Sequence, residues 1–390
     1  MRQIYLDYNA STPVDPRVVA AMQSMLESCY GNPSSTHWAG LPARQLVEQA
    51  REQVAALLGC EPKEVVFTSG GSEANNFALK GTYFARRSAP AHIITTEVEH
   101  PSILEPCEYL RRQGAQVTRL PVDGTGQVDP DDLRRAMTRD TILVSIMHAN
   151  NEVGTIEPIQ ACARIAREHG VPFHTDAAQS VGKIPTRVDE LGVDLLSIAG
   201  HKLYAPKGVG ALYVRAGTRL EPLVHGAGHE HGRRAGTESA MLVTALGVAC
   251  TLARDMAPLE NIRQLRDRLW ASLRAALGEQ VTLNGHPDER LPNTLNVSFV
   301  GRIGADVLAA LQGVAASTGS ACHADRVVLS PVLRAMGVDE RVGLGAVRFS
   351  LGRGTTPDDI DDVVQALMSS FRQLPGRRFD ESLTRSTSSR

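Results

Sequence analysis

At 390 residues the chain is longer than one hydrophobic core usually serves, so it reads as a large domain with a smaller partner. Its 42% hydrophobic and 22% charged content is that of an ordinary globular protein. A net charge of −2 gives no electrostatic ground for direct nucleic-acid binding or for attraction to a membrane, no apolar stretch reaches the ~18–20 residues that cross a bilayer, and no secretory signature is seen at the N-terminus.

Apolar runs alternate with helix-like segments along the first two-thirds of the chain. Strands are predicted at 65–68, 91–96, 116–120, 141–147, 172–174, 195–198 and 209–214. Helices between them are predicted at 44–58, 73–87, 102–113, 130–137 and 159–169, with Gly59, Gly114 and Gly170 where C-caps belong. This alternation predicts an α/β architecture with a mostly parallel sheet covered on both faces.

After Gly228 the texture changes. The segment 229–236 is polar, basic and Gly-containing and reads as a loop. Helices follow at 238–257 and 259–277. Then come a strand at 295–300, a helix at 305–312, a loop carrying Cys322, a helix at 331–336, a strand at 346–350 and a helix at 357–374. The large domain is expected at 14–255 and the smaller α+β domain at 1–13 plus 256–374. The Ser/Arg-rich stretch 375–390 has no periodicity and is expected to be a disordered tail.

Polar clusters fall just after the predicted strands: Ser69-Gly70-Gly71-Ser72, His100, Asn150-Asn151, Asp176 and His201-Lys202. In an open α/β sheet, ligands bind outside the carboxyl ends of the strands, so these clusters point to one large site. Glycines before a helix let backbone approach a phosphate at the helix N-terminus, although a Ser N-cap near a Glu is also a common helix start. Asp176 suits a carboxylate beneath a pyridine nitrogen, where alone it would read as a turn or N-cap residue. Gln179, three residues on, could reach a phenolic oxygen or a ring edge.

Lys202 ends an apolar run, and a Schiff-base lysine must be partly desolvated to be a neutral amine. Lys207 faces the following turn and is the lesser candidate. His100 could stack on a ring and move protons, its ordinary pKa being about 6.5, or simply cap a strand end.

The six cysteines show no zinc-like spacing, and their scatter is that of a reducing compartment, so a cytoplasmic location is expected. Cys29, Cys60, Cys107, Cys162 and Cys250 read as small buried hydrophobes. Cys322 differs: it follows Gly319-Ser320-Ala321, a small-residue approach that suits a thiol which must swing. Lys202, Asp176 and Cys322 together are the parts of a pyridoxal-phosphate enzyme with its own nucleophile.

On these motifs the chain resembles the group I (NifS/IscS-like) cysteine desulfurases of the class V aminotransferase fold. The likeness extends from residue 3 to about 372. It includes Tyr5-Leu6-Asp7-Tyr8-Asn9-Ala10, Gly31-Asn32-Pro33-Ser34-Ser35, Ala149-Asn150-Asn151-Glu152, Arg233-Arg234-Ala235-Gly236-Thr237-Glu238 and Arg348-Phe349-Ser350-Leu351-Gly352-Arg353.

The resemblance implies a type I pyridoxal-phosphate transferase fold, with a mainly parallel seven-stranded sheet and a smaller α+β domain. It implies Lys202, Cys322 and His100 as catalytic residues, and Asp176 at the pyridine nitrogen. Gln179 and Asn151 would lie on the phenolate side. Gly71, Ser72 and His201 would hold the phosphate, with Thr237 from the second subunit of a homodimer. Arg348, with Asn151, would bind the substrate. The implied reaction converts L-cysteine to L-alanine and leaves sulfur as a Cys322 persulfide for an acceptor protein. That acceptor would serve iron–sulfur clusters, tRNA thiolation or DNA phosphorothioation.

Two departures stand out. Many relatives carry serine where this chain has Ala199, which predicts one fewer phosphate hydrogen bond. The segments Cys322-His323-Ala324-Asp325 and Ser330-Pro331-Val332-Leu333 look somewhat like those of mammalian selenocysteine lyase, which keeps that activity as the alternative.

Overall fold

The computed structural model describes residues 2–86, 90–318, 322–323 and 326–373, with backbone alone at 322, 323, 326, 327, 372 and 373. The predicted tail and the Gly319-Ser320-Ala321 approach lie outside the described residues, as do the side chains of Cys322 and His323.

Seven strands form the large sheet. In order across it they are Val65–Thr68, Gly210–Val214, Leu195–Ala199, Phe173–Asp176, Thr141–Ser145, His92–Thr96 and Gln116–Leu120. Only Gly210–Val214 runs against its neighbours; the other pairings are parallel. Near-continuous Val, Ile and Leu in these strands is what burial on both faces demands. On one face the helices Gly40–Leu58, Ile159–Glu168 and Ala240–Ala253 cover a core that includes Val54, Leu58, Val144, Phe173 and Tyr213. On the other, Gly71–Ala85 and Pro101–Arg112 pack on Phe77, Ile93, Leu143 and Leu212. Gly40–Leu58 and Ala240–Ala253 approach closely at Gly247, where a Cβ would stand 2.7 Å from the Ala50 Cα.

A second sheet orders Ser317–Thr318, Ala346–Ser350, Thr294–Phe299 and Val281–Asn284, all antiparallel. The helices Ala257–Leu277 and Pro357–Gln373 enclose its core around Leu269, Phe299 and Phe349. The strand Ile4–Tyr5 joins that part by parallel pairing with Val314–Ala315, and Leu6 lies in the same core.

Strand positions match the apolar runs within a few residues. Differences fall at helix ends and at elements not among those expected, including the strands Ile4–Tyr5, Val281–Asn284, Val314–Ala315 and Ser317–Thr318. Glycine at the N-cap lets the helix expected at 73 begin at Gly71, with Gly70 at φ 152° and ψ −179°, a conformation essentially reserved for glycine. The helix expected to reach 257 stops at Ala253. The helix Pro16–Ser28, capped by the Asp15 carboxylate, was not among the expected elements, although Asp-Pro is a readable start signal. The loop expected at 229–236 contains a short turn, and its Glu230 is buried.

Glu230 accepts from Arg51 at 2.8 and 2.9 Å and from the Phe67 amide at 2.9 Å, with both charged side chains almost fully buried. This pair holds Glu230 and His231 at φ 49° and 57°, unfavourable for side chains other than glycine. Removing Glu230 leaves the buried Arg51 with the exposed Glu48 carboxylate at 3.3 Å and the Val65 carbonyl. Glu230→Ala is expected to lower stability by about 3–5 kcal/mol, measured by urea unfolding; a loss near zero would mean the loop does not depend on the pair.

Candidate active site

Because most strands of the large sheet run the same way, the chain leaves each of them at the same edge. That edge opens into a cavity of 590 Å³ lined by Gly71, Ser72, His100, Asn151, Asp176, Gln179, His201, Lys202 and Arg348, all expected site residues. Lys207 lines it too. Thr237 is exposed and is not among the lining residues, and Cys322 is placed only by its backbone in the strand Cys322–His323.

Lys202 sits in the turn Gly200–Lys202 directly after the strand Leu195–Ala199. Its Nζ donates to the carbonyls of Asn9 and Ala10. Burial first, and then the Arg348 charge, push its pKa down to about 8, with Asp7 and Asp176 opposing. A lysine so placed is a free amine in a much larger fraction than one in water.

Asp176 is buried and accepts from Asn75 Nδ2 at 2.7 Å and from the Ala178 amide at 2.9 Å. Asn75 also donates to Ser102 Oγ at 2.8 Å. His100 caps the helix Pro101–Arg112, its Nδ1 accepting from the Ser102 amide at 3.1 Å. That bond leaves the ring proton on Nε2. Burial holds His100 below its ordinary pKa, with the Asp176 charge opposing and the Lys202 charge adding to it, so the ring is neutral at physiological pH.

At the far end of the cavity, Gly70 and Gly71 start a helix of 15 residues. A Cβ on Gly70 would meet nothing within 4 Å, and a Cβ on Gly71 would come 3.1 Å from the Ala199 Cβ. His201 Nδ1 is buried without a partner among the described residues, and burial drives its pKa down to about 4. Glycines, free amides and an orphaned ring nitrogen at a helix N-terminus suit a phosphate. Asp176 suits a pyridine nitrogen and Lys202 an aldehyde carbon, so the residues present fit pyridoxal phosphate. Glu73 is neutralised by Arg234 at 2.9 Å and by the Ser69 amide at 2.8 Å.

Arg348 also lines the cavity. Nη1 donates to the Asn151 carbonyl at 2.9 Å and Nη2 to Asp7 Oδ1 at 2.8 Å, while Nε is buried with no acceptor among the described residues. Asp7 Oδ1 also accepts from Ser317 Oγ at 2.8 Å, and Ser317 is the register partner of Arg348 across the two strands. On the other side of Cys322, Ser330 Oγ donates to Glu152, next to Asn151. Both flanks of the cysteine segment are therefore tied to residues of this site. Residue-by-residue reasoning missed Asp7, Asn9, Asn75 and Lys183. Asp7 and Asn9 lie inside the first motif noted above, but their carbonyl and carboxylate contacts come from distant parts of the chain.

Four of the other cysteines are poor competitors as nucleophiles. Burial raises the thiols of Cys60, Cys107, Cys162 and Cys250 to about 12.

A lysine, an aspartate and a phosphate cradle at the strand ends of an α/β sheet define a pyridoxal-phosphate-dependent enzyme. The aminotransferase class-V family model matches residues 4–363, and the chain belongs to that family. It is 47% identical over 380 residues to the cysteine desulfurase IscS of Dictyoglomus turgidum, covering 96% of each chain. It is 46% identical to the mitochondrial cysteine desulfurase of Arabidopsis thaliana, covering 96% of this chain and 83% of that one. Among solved structures, a NifS-like protein superposes with a TM-score of 0.90 at 37% identity, over 95% of this chain and 100% of that one. DndA from Streptomyces lividans superposes at 0.75 with 36% identity, over 87% and 97%.

Two outcomes follow from the geometry. Ala199 Cβ faces the phosphate cradle, so Ala199→Ser adds a hydroxyl there; at ~1.5–3 kcal/mol for a bond to a charged group, cofactor loss during dialysis should slow by roughly 10- to 100-fold. Unchanged loss would mean water or another donor already fills that role. Uptake of pyridoxal phosphate by cofactor-free protein should accelerate as pH rises through about 8, where Lys202 becomes a free amine. A rate independent of pH on both sides of that value would contradict the assignment.

Proposed function

We infer that this protein is a cysteine desulfurase, releasing L-alanine from L-cysteine and taking the sulfur onto Cys322. The observation that carries this reading is the Asp7 carboxylate, which joins Arg348 to Ser317 on the strand leading to Cys322. The Cys322 thiol would meet a site already equipped with Lys202, Asp176, His100 and Arg348. An aminotransferase of the same fold has no use for such a thiol.

When bound, pyridoxal phosphate supplies an electron sink that weakens the bonds at the substrate α-carbon. Asp176, buried and held by Asn75, keeps a negative charge where a protonated pyridine nitrogen needs one. Arg348 binds the substrate carboxylate through its unpaired Nε and remaining hydrogens. Lys202, released from the Asn9 and Ala10 carbonyls, is the base that takes the α-proton. His100 presents its Nε2 proton to the cavity and exchanges it with the reacting groups. The Cys322 thiolate attacks the substrate sulfur; an S–S bond forms, the C–S bond breaks, and its electron pair stays with carbon. That carbon takes a proton and the product leaves as L-alanine, while the persulfide goes to an acceptor protein.

The named relatives are cysteine desulfurases, which favours this reading over a selenocysteine lyase. Thr237, outside its own cavity and exposed, supports a homodimer in which each subunit completes the other's phosphate site. Among the described residues no single helix is long and apolar enough to cross a membrane. Unpaired cysteines at 29, 60, 107, 162 and 250 support a reducing, cytoplasmic location.

The test is alanine formation from L-cysteine by wild type and Cys322→Ser, with L-selenocysteine alongside. The variant should keep its visible cofactor band and fall to background on cysteine. Wild-type turnover by the variant would remove Cys322 from the mechanism. Loss on cysteine with activity retained on selenocysteine would favour the lyase.

A further inference from the structure

Lys183 is buried at 8% exposure beneath the cavity, and no step above uses it. Its Nζ donates to Gln179 Oε1 at 2.9 Å, and no carboxylate pairs with it among the described residues. Gln179 Nε2 donates to the Asn9 carbonyl at 3.0 Å, the same oxygen that receives the Lys202 amine. Gln179 lines the cavity.

An amide side chain is nearly symmetric in shape, and its neighbours decide which end faces where. The Lys183 amine donates to Gln179, so the Gln179 atom against it is the oxygen. The NH₂ end is then turned the other way. One of its hydrogens is spent on Asn9; the second has no acceptor among the described residues, and Gln179 lines the cavity. The Asn9 carbonyl favours the same orientation but is shared with Lys202, so it is a weaker guarantee than a dedicated buried cation.

We propose that Lys183 is a positioning residue that locks the Gln179 amide with its N–H toward the phenolic oxygen of the cofactor, and thereby sets the protonation of the cofactor's linkage to Lys202. This rests on the reading of Gln179 and Lys202 as cofactor contacts. A phenolate that accepts from an amide N–H is less basic, and the linkage sharing its proton loses that proton at lower pH. With the lock removed, the amide is free to present its oxygen to the phenolate, and the linkage then holds its proton to higher pH.

The charged neighbours are consistent with such a role. Burial, then Lys202 and Arg348, push the Lys183 pKa down to about 7. Tyr8, Tyr204, Asp255 and Arg353 line the small adjoining cavity beside it. An amine kept without a counter-carboxylate among three cations is costly, and a methionine would pack the same space at less cost. The Gln179 oxygen that accepts from it gives the amine a role at this position.

The experiment titrates the visible absorption band of the cofactor-loaded protein against pH in wild type, Lys183→Met, Gln179→Ala and the double variant. Lys183→Met should raise the midpoint by about one pH unit, the scale of one hydrogen bond to a charged group. In the Gln179→Ala background the same change should have no further effect, because Lys183 acts through the amide. Lys183→Gln, polar and close in size, serves if the methionine variant does not fold, and should shift the midpoint in the same direction. An unmoved midpoint in Lys183→Met, or a full additional shift in the double variant, overturns the proposal. If instead Lys202→Ala forms the same band, or Gln179→Ala alone changes nothing, the underlying site reading fails.

Discussion

The ion pair between Asp7 and Arg348 is the joint on which the site depends. It brings together three stretches of chain that are far apart in sequence: the N-terminal segment, the strand Ala346–Ser350 and the strand Ser317–Thr318. Each has a separate reason to be there. Ile4–Tyr5 is drawn in by pairing with Val314–Ala315, and Leu6 by the apolar core of the second sheet. Asn9 and Ala10 then run on to offer their carbonyls to Lys202. A short N-terminal stretch is thus the bridge between the lysine end and the carboxylate-binding end.

The cavity is an electrostatic compromise. Burial depresses Lys183 and Lys202 first; the Arg348 charge lowers both further, and the Lys202 charge lowers Lys183. Asp7 and Asp176 offset part of this at Lys202. The result is a lysine near its neutral form beside an arginine that cannot lose its proton. One group does acid–base work and the other only binds, a division set by intrinsic proton affinity and a shared environment.

The strained positions cluster around the same edge. Tyr204, at φ 62°, follows Lys202, and its cost is offset by the Thr12 hydroxyl on its amide, by its own hydroxyl accepting from the Arg353 amide, and by the Arg353 guanidinium 4.4 Å over its ring. Glu230 and His231 are held by the buried Arg51. Strain of this kind persists only where surroundings over-determine it.

Much of the site was legible in the chain because parallel strands put sequence-local signals to spatial use. A polar cluster after each apolar run is a cluster at one edge of the sheet, so Gly71, Ser72, His100, Asp176, His201 and Lys202 could be named one strand at a time. Those residues needed only local order to be read. The helix start at Gly71 and the elements around Pro16 were less clear because caps depend on backbone angles that residue identity only biases.

What the sequence by itself determined is therefore the alternation of strand and helix, the edge at which the chemistry sits, and the residue types there. Tertiary structure alone decided which carbonyls receive Lys202, that Asp7 holds Arg348 and that Asn75 supports Asp176. These are contacts between segments up to hundreds of positions apart, and their partners are chosen by packing and burial. Periodicity and propensity act over a few residues and carry no information about which distant carboxylate or carbonyl a buried cation will meet.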